Sequence, residues 1–172
     1  MRVWIVETGE QIAGIDGDVR DWHCGMLGKA LAGQGHDVVL WASTFHHMTK
    51  QQRFHGTERR VLAPGLEAVF LEGPGYATNK SLKRVLHNRT VAGAFAREAR
   101  SAATPDVIFC SLPTVELAEQ AMYYGRERKL PVVIDVADLW PDIYLTAFPR
   151  RLRGLVRLAL TSEFRRASRA LS

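Results

Sequence analysis

The first candidates for chemistry are the acids at the end of the run Pro131-Val132-Val133-Ile134-Asp135-Val136-Ala137-Asp138-Leu139-Trp140-Pro141-Asp142. A buried-type strand here runs straight into an acid, a Trp-Pro step and another acid, which places Asp138 at the carboxyl end of a central strand. A carboxylate there can accept hydrogen bonds from substrate hydroxyls or from a donating nucleophile. Asp138 is equally suited to cap a helix starting at Leu139, with Pro141 in its first turn, and the two roles are compatible. Asp135 lies between Ile134 and Val136. It is expected to be buried and bonded to loop amides.

Two histidines, His46 and His47, follow the second apolar run, Val38 to Trp41, and so stand at the edge of a sheet where ligands bind. No third ligand at metal spacing accompanies them, so solvent exposure or packing on Phe45 is the alternative to a binding role. Asp16-Gly17-Asp18 has the Asp-x-Asp spacing of a metal and nucleotide site. Asp18, however, is placed to cap the first helix, and no metal is expected. Cys24 and Cys110 have neither metal spacing nor a disulfide pattern and read as buried thiols.

Gly9, Gly14 and Gly17 follow the first apolar run without forming G-x-G-x-x-G. The second run ends in Trp41-Ala42-Ser43, where a dinucleotide site needs an acid for the ribose. A phosphate loop of the G-x-x-x-x-G-K-[ST] type is also missing, which excludes that class of nucleotide hydrolysis. A Gly-rich loop that opens a helix can still bring amides close to an anion or a sugar, or it can be a turn that needs glycine torsions.

The elements that position these residues are legible. Five apolar runs recur, at Val3–Val6, Val38–Trp41, Ala68–Leu71, Val107–Cys110 and Val132–Val136. They do not alternate with polar residues, so each is a strand covered on both faces. Helical period appears between them, first in Leu82, Val85, Leu86, Phe95, Ala96 and Ala99, then in Val115, Ala118, Ala121 and Met122. Alternating strands and helices predict an α/β fold with a doubly wound, mostly parallel, Rossmann-like sheet. Gly33-Gln34-Gly35 closes the first helix and the second strand starts at Asp37. Residues 43–65 are polar and read as a long excursion above the sheet. The whole of 1–172 is expected to form one domain.

The net charge is +5, and residues 149–172 carry seven arginines against the single acid Glu163. Arg150, Arg151, Arg153, Arg157, Arg165, Arg166 and Arg169 thus form a local basic segment, suited to an anionic membrane surface rather than to nucleic acid. On a helical wheel Leu152, Leu155, Val156, Ala159, Leu160, Phe164, Ala167 and Leu171 share one face opposite most of the arginines. That face either rests on a bilayer or packs on the chain's own sheet. A signal peptide is not expected, because Glu7 ends the opening apolar run too early. The expected location is cytoplasmic.

The chain resembles family 4 of the GT-B glycosyltransferases, in particular the bacterial branch that builds lipopolysaccharide and capsule sugars. The resemblance runs through Met1 to Val6, Gly33-Gln34-Gly35-His36-Asp37-Val38, Ser43-Thr44-Phe45-His46-His47 and Asp135 to Asp142, and it covers the whole chain. The Asp-Leu-Trp-Pro step is its more specific part. Members of the branch usually carry Arg, and other relatives His, where this chain has Ala137. The resemblance implies the amino-terminal, acceptor-side half of a retaining enzyme that moves a sugar from a nucleotide diphosphate sugar to a lipid-linked or polysaccharide acceptor, without metal or other cofactor. The donor would sit mainly in a carboxyl-terminal domain absent from 1–172, a stretch expected to stop before its own last strand and to be inactive alone. Gly14 and Gly17 would face the donor phosphates, while His46, His47, Asp138 and Trp140 would face the acceptor. The alternative is a freestanding α/β module that binds a sugar or nucleotide without catalysis.

Overall fold

Alternate residues of a strand go to opposite faces of its sheet, and the first strand here is apolar on both, so helices must cover both. The computed structural model describes residues 1–79, 81–112, 114–136, 149–159 and 161. In chain order it shows β1 (Arg2–Val6), α1 (His23–Gly33), β2 (Asp37–Ser43), β3 (Phe45–His46), β4 (Gln51–Gln52), β5 (Glu58–Ala63) and β6 (Leu66–Leu71). There follow α2 (Leu82–Ser101), β7 (Val107–Leu112), α3 (Val115–Arg128), β8 (Val132–Val136), a 3-10 turn (Arg150–Leu152) and α4 (Arg153–Ala159).

Each of the five apolar runs is a strand. With β5 they form a six-stranded sheet of order β5-β6-β2-β1-β7-β8, in which, among the described strands, β5 alone runs antiparallel to its neighbour. The architecture is therefore α/β, doubly wound and Rossmann-like. On one face Val3 and Ile5 pack with Val38, Leu40, Ala68 and Phe70 beneath Cys24, Leu27 and Leu31 of α1. On the other, Trp4, Val6, Trp41 and Val69 meet Val91 and Phe95 of α2 and Leu117, Ala121 and Tyr124 of α3. The chain winds from β1 to β2 to β6, then crosses through α2 to β7 on the far side of β1. The order thus reverses between β1 and β7, and a crevice opens there at the carboxyl ends of the strands.

Three sequence expectations are corrected. Asp18 does not cap α1: it is exposed, and the helix begins at His23 with Trp22 at the N-cap position. The cap comes from further away, since Glu10 accepts from the amides of Cys24 and Gly25 at 3.1 and 3.4 Å. Residues 43–65 are not simply an excursion, because they hold the β3–β4 hairpin and the edge strand β5. Finally, β8 is an edge strand among the described strands, so Val133 and Val136 stay exposed and Asp135 is half-buried. The helix end at Gly33-Gln34-Gly35 is as expected, with Gly35 at φ 83° and its amide bonded to the carbonyl of Ala32. Both cysteines are free and buried.

The larger core is aromatic. Trp4 and Trp41 meet edge to face at 4.9 Å, Trp41 meets Phe95 at 5.0 Å, and Trp4 lies 5.0 Å from Tyr124. The Tyr124 hydroxyl is buried there without a hydrogen-bond partner among the described residues. Since an unmet buried donor costs about 1–3 kcal/mol, Tyr124→Phe is expected to leave stability unchanged or raise it by about 1 kcal/mol in urea unfolding. A clear loss of stability would show that the hydroxyl does have a partner.

Candidate functional site

A cleft of about 330 Å³ lies in this crevice. Its floor is the carboxyl end of β1 and the loop beyond it, Glu7 to Glu10. One rim is Trp22 and His23 at the start of α1, and another is Ser111, Leu112 and Thr114 after β7. The facing wall brings Phe45, His47 and Met48 from the hairpin, Tyr76 from the loop after β6, and Arg84, His87 and Asn88 from the first turns of α2.

The floor is acidic. Glu7 accepts from the amides of Gly9 and Glu10, both at 2.7 Å, which folds the loop back over the strand end. Burial pushes its carboxyl up to about 7; the charge of Glu10 adds to this, and the amide bonds oppose it. His23 bridges two carboxylates, with Nδ1 2.7 Å from Glu10 and Nε2 2.9 Å from Asp135. The ring donates to both only when it carries both protons. Ser111 donates to the same Asp135 oxygen at 3.0 Å. Among the described residues Asp135 therefore bonds to the side chains of His23 and Ser111. Thr8 and Thr114 face each other at 3.4 Å. Donors and acceptors interleaved like this at strand ends suit a ligand made of hydroxyl groups.

Glu10, His23 and Cys24 bring potential metal-ligating atoms within 4.8 Å of one another. Burial first, then the carboxylates of Glu10 and Glu7, push the Cys24 thiol far above its usual range. A thiol held protonated is a poor ligand, and Glu10 is already engaged by α1 and His23.

The histidine pair divides. His46 is buried, its Nδ1 accepting from the Thr49 amide at 3.0 Å, and its other nitrogen is 3.6 Å from Asp16. It braces the hairpin and does not line the cleft, whereas His47 does. Gly14 and Gly17 have φ of 83° and 92°, with open space where a side chain would be. Their torsions require glycine, and they lie outside the cleft lining. Asp16 pairs with Arg53 through two contacts of 2.7 Å, so its carboxylate is occupied. Burial would raise the Asp16 carboxyl, but the Arg53 bonds, the Ile12 amide and nearby positive charge hold it below the usual range.

Asp138, Trp140, Arg165, Arg166 and Arg169 lie outside the described residues, as does the side chain of Arg157. Arg150 and Arg151 are exposed and Arg153 is half-buried. Leu152, Leu155 and Leu158 beside them are exposed as well. Among the described residues, no helix is long and apolar enough to cross a membrane.

Glu7, Glu10, His23, Tyr76, Arg84 and His87 gave no motif in the sequence. The one available signal was the position of Glu7 and Glu10 just past the first strand.

No family model matches the chain, and no curated protein matches it. Among solved structures, the catalytic domain of starch synthase IV from Arabidopsis thaliana, bound to ADP and acarbose, is similar at 16% identity and a TM-score of 0.49. The match covers 77% of this chain and 33% of that one, so the chain spans about a third of the length of that structure.

Proposed function

We propose that this chain is the acceptor-side half of a GT-B glycosyltransferase, of the family 4 type that its sequence resembles. In this reading the complete enzyme transfers a sugar from a nucleotide diphosphate sugar, with retention and without metal, to a lipid-linked or polysaccharide acceptor. The observation that carries the proposal is the cleft at the strand reversal, where the lining residues Glu10, His23 and Ser111 form a continuous chain of polar contacts through Asp135. That chain matches alternating sugar hydroxyls, each both donor and acceptor. His47 faces the acceptor in this reading. So do Asp138 and Trp140, which follow β8 in sequence, while the Gly14 and Gly17 loop approaches the donor phosphates. The basic segment from Arg150 onward, with Leu152, Leu155 and Leu158 exposed, is the surface that meets an anionic bilayer at its cytoplasmic side.

Calorimetry and saturation-transfer NMR on the chain test the assignment. Neutral oligosaccharides are expected to bind weakly, with a Kd on the order of millimolar, and nucleotide diphosphate sugars no more tightly. No sugar transfer is expected from this half alone. Saturable nucleotide-sugar binding with a Kd on the order of micromolar would overturn the assignment, because it would place the donor site here.

A further inference from the structure

The wall of the cleft opposite Glu7 and Glu10 has the reverse character. Arg84 lines this wall and Lys50 stands beside it, outside the cleft lining; they lie 5.8 and 4.8 Å from the ring centre of Tyr76. Neither forms an ion pair among the described residues: Lys50 bonds to the amide oxygen of Asn79 at 2.6 Å and Arg84 to the carbonyl of Asn79 at 3.2 Å. Each cation is thus held by a neutral group and left near another cation. Burial first, and then Arg84, lower the affinity of Lys50 for its proton.

The two histidines of this wall have defined tautomers. The Gly75 amide donates to Nδ1 of His87 at 3.1 Å. For His47, Nδ1 lies 2.5 Å from the Tyr76 hydroxyl and 3.5 Å from the Lys50 ammonium, so it is the acceptor. Burial, then the nearby cations, hold both rings neutral, at about 4. In each ring the remaining proton is therefore on Nε2. His87 is buried yet lines the cleft, and it makes no second hydrogen bond among the described residues. Among the described lining residues this wall offers donors and positive charge and no carboxylate, which is the complement of a group that only accepts.

We propose that Arg84, His47 and His87, with Lys50 beside them against His47, form an anion subsite that holds a phosphate or carboxylate group carried by the glycosyl acceptor. This rests on the reading of the cleft as an acceptor site and narrows it to acidic acceptors. The sugar hydroxyls lie toward Glu10, His23 and Asp135, and the anion lies toward Arg84. Phosphate and carboxylate share the acceptor chemistry, and the guanidinium of Arg84 suits either.

The test is an NMR titration of the chain, following the ring nitrogens of His47 and His87 and the backbone amides. The probes are inorganic phosphate, glucose 6-phosphate, glucuronate and glucose. Phosphate and glucose 6-phosphate are expected to shift both rings saturably, and Arg84→Met or Lys50→Met to weaken that binding at least tenfold. Lys83→Met, which removes an exposed charge next to Arg84, is expected to change it less than twofold. If glucuronate binds more tightly than glucose 6-phosphate, the anion is a carboxylate; the reverse order assigns a phosphate. The subsite is refuted if neither anion shifts the rings, or if Lys83→Met weakens binding as much as Arg84→Met, which would leave only diffuse surface charge. Anion binding without any response to glucose or larger neutral saccharides would instead count against the glycosyl-acceptor reading and leave the subsite standing.

Discussion

Arg53→Met is expected to destabilise the chain by about 3–5 kcal/mol, because it leaves the Asp16 carboxylate buried without its partner. The two side chains are 4% and 6% exposed. Besides its two contacts with Asp16, Arg53 donates to the carbonyls of Ser43 and Glu10 at 2.9 and 2.8 Å. One guanidinium thus ties the loop after β1 to the end of β2 and to the hairpin. Asp16 in turn accepts from the Ile12 amide at 2.7 Å. A double variant, Arg53→Met with Asp16→Leu, is expected to recover much of the loss, since a buried ion pair is often replaceable by apolar residues of similar volume. The pair also sets an acid limit. The folded carboxyl titrates below its ordinary value of 3.8, so its contribution is present above that pH and is lost as pH falls through the lower folded value. Urea unfolding of the single and double variants decides, and a loss under about 1 kcal/mol for Arg53→Met would show that the loop is held by other contacts.

Glu7→Gln is expected to gain stability relative to the parent as pH rises. The carboxyl is held at about 7 in the folded chain against an ordinary 4.5. A raised value means that the folded state binds the proton more tightly. The stabilising effect is complete below about 4.5 and is lost as pH rises through 7. Glutamine never ionises, but its amide nitrogen cannot accept, so it keeps only one of the two backbone bonds that Glu7 takes from Gly9 and Glu10. The variant is therefore expected to be less stable than the parent near pH 4.5, by the lost amide bond, and to gain on it by up to about 3 kcal/mol between pH 4.5 and 8. Unfolding curves across that range give the answer. A difference independent of pH would mean that the folded carboxyl titrates like a free one.

The sheet was legible in the sequence because parallel strands covered on both faces leave unbroken apolar runs, as in Val3–Val6 and Val107–Cys110. β5 was not, because Glu58-Arg59-Arg60-Val61 lies at the sheet edge and only its pairing with β6 makes it a strand. The Pro64-Gly65 step ahead of Leu66, with Gly65 at φ 75°, was the local sign of that hairpin. Helix capping failed for a different reason. Local rules search for a cap next to the helix, and Glu10 reaches α1 from thirteen residues before His23. The site was the least legible part. His87 comes from inside α2, Tyr76 from a loop and Glu7 from a strand end, and only the winding of the chain brings them together.

That winding also fixes an order of events. Strand β1 pairs with β2 through a loop of about 35 residues, but with β7 across about a hundred, Val3 facing Val38 on one side and Val107 on the other. Closing the longer loop costs about 1 kcal/mol more in chain entropy, and parallel pairing at such separation is slow. The unit of β1, α1 and β2 can therefore form early, while β7 docks only once α2 has crossed the sheet. The Arg2 amide, bonded to the carboxylate of Asp106 at 2.7 Å, closes the base of that late seam. The cleft opens at the other end of the same seam, so it exists only after that long-range pairing is complete, and a chain stalled with β1 and β2 alone has two of the six described sheet strands and lacks the cleft.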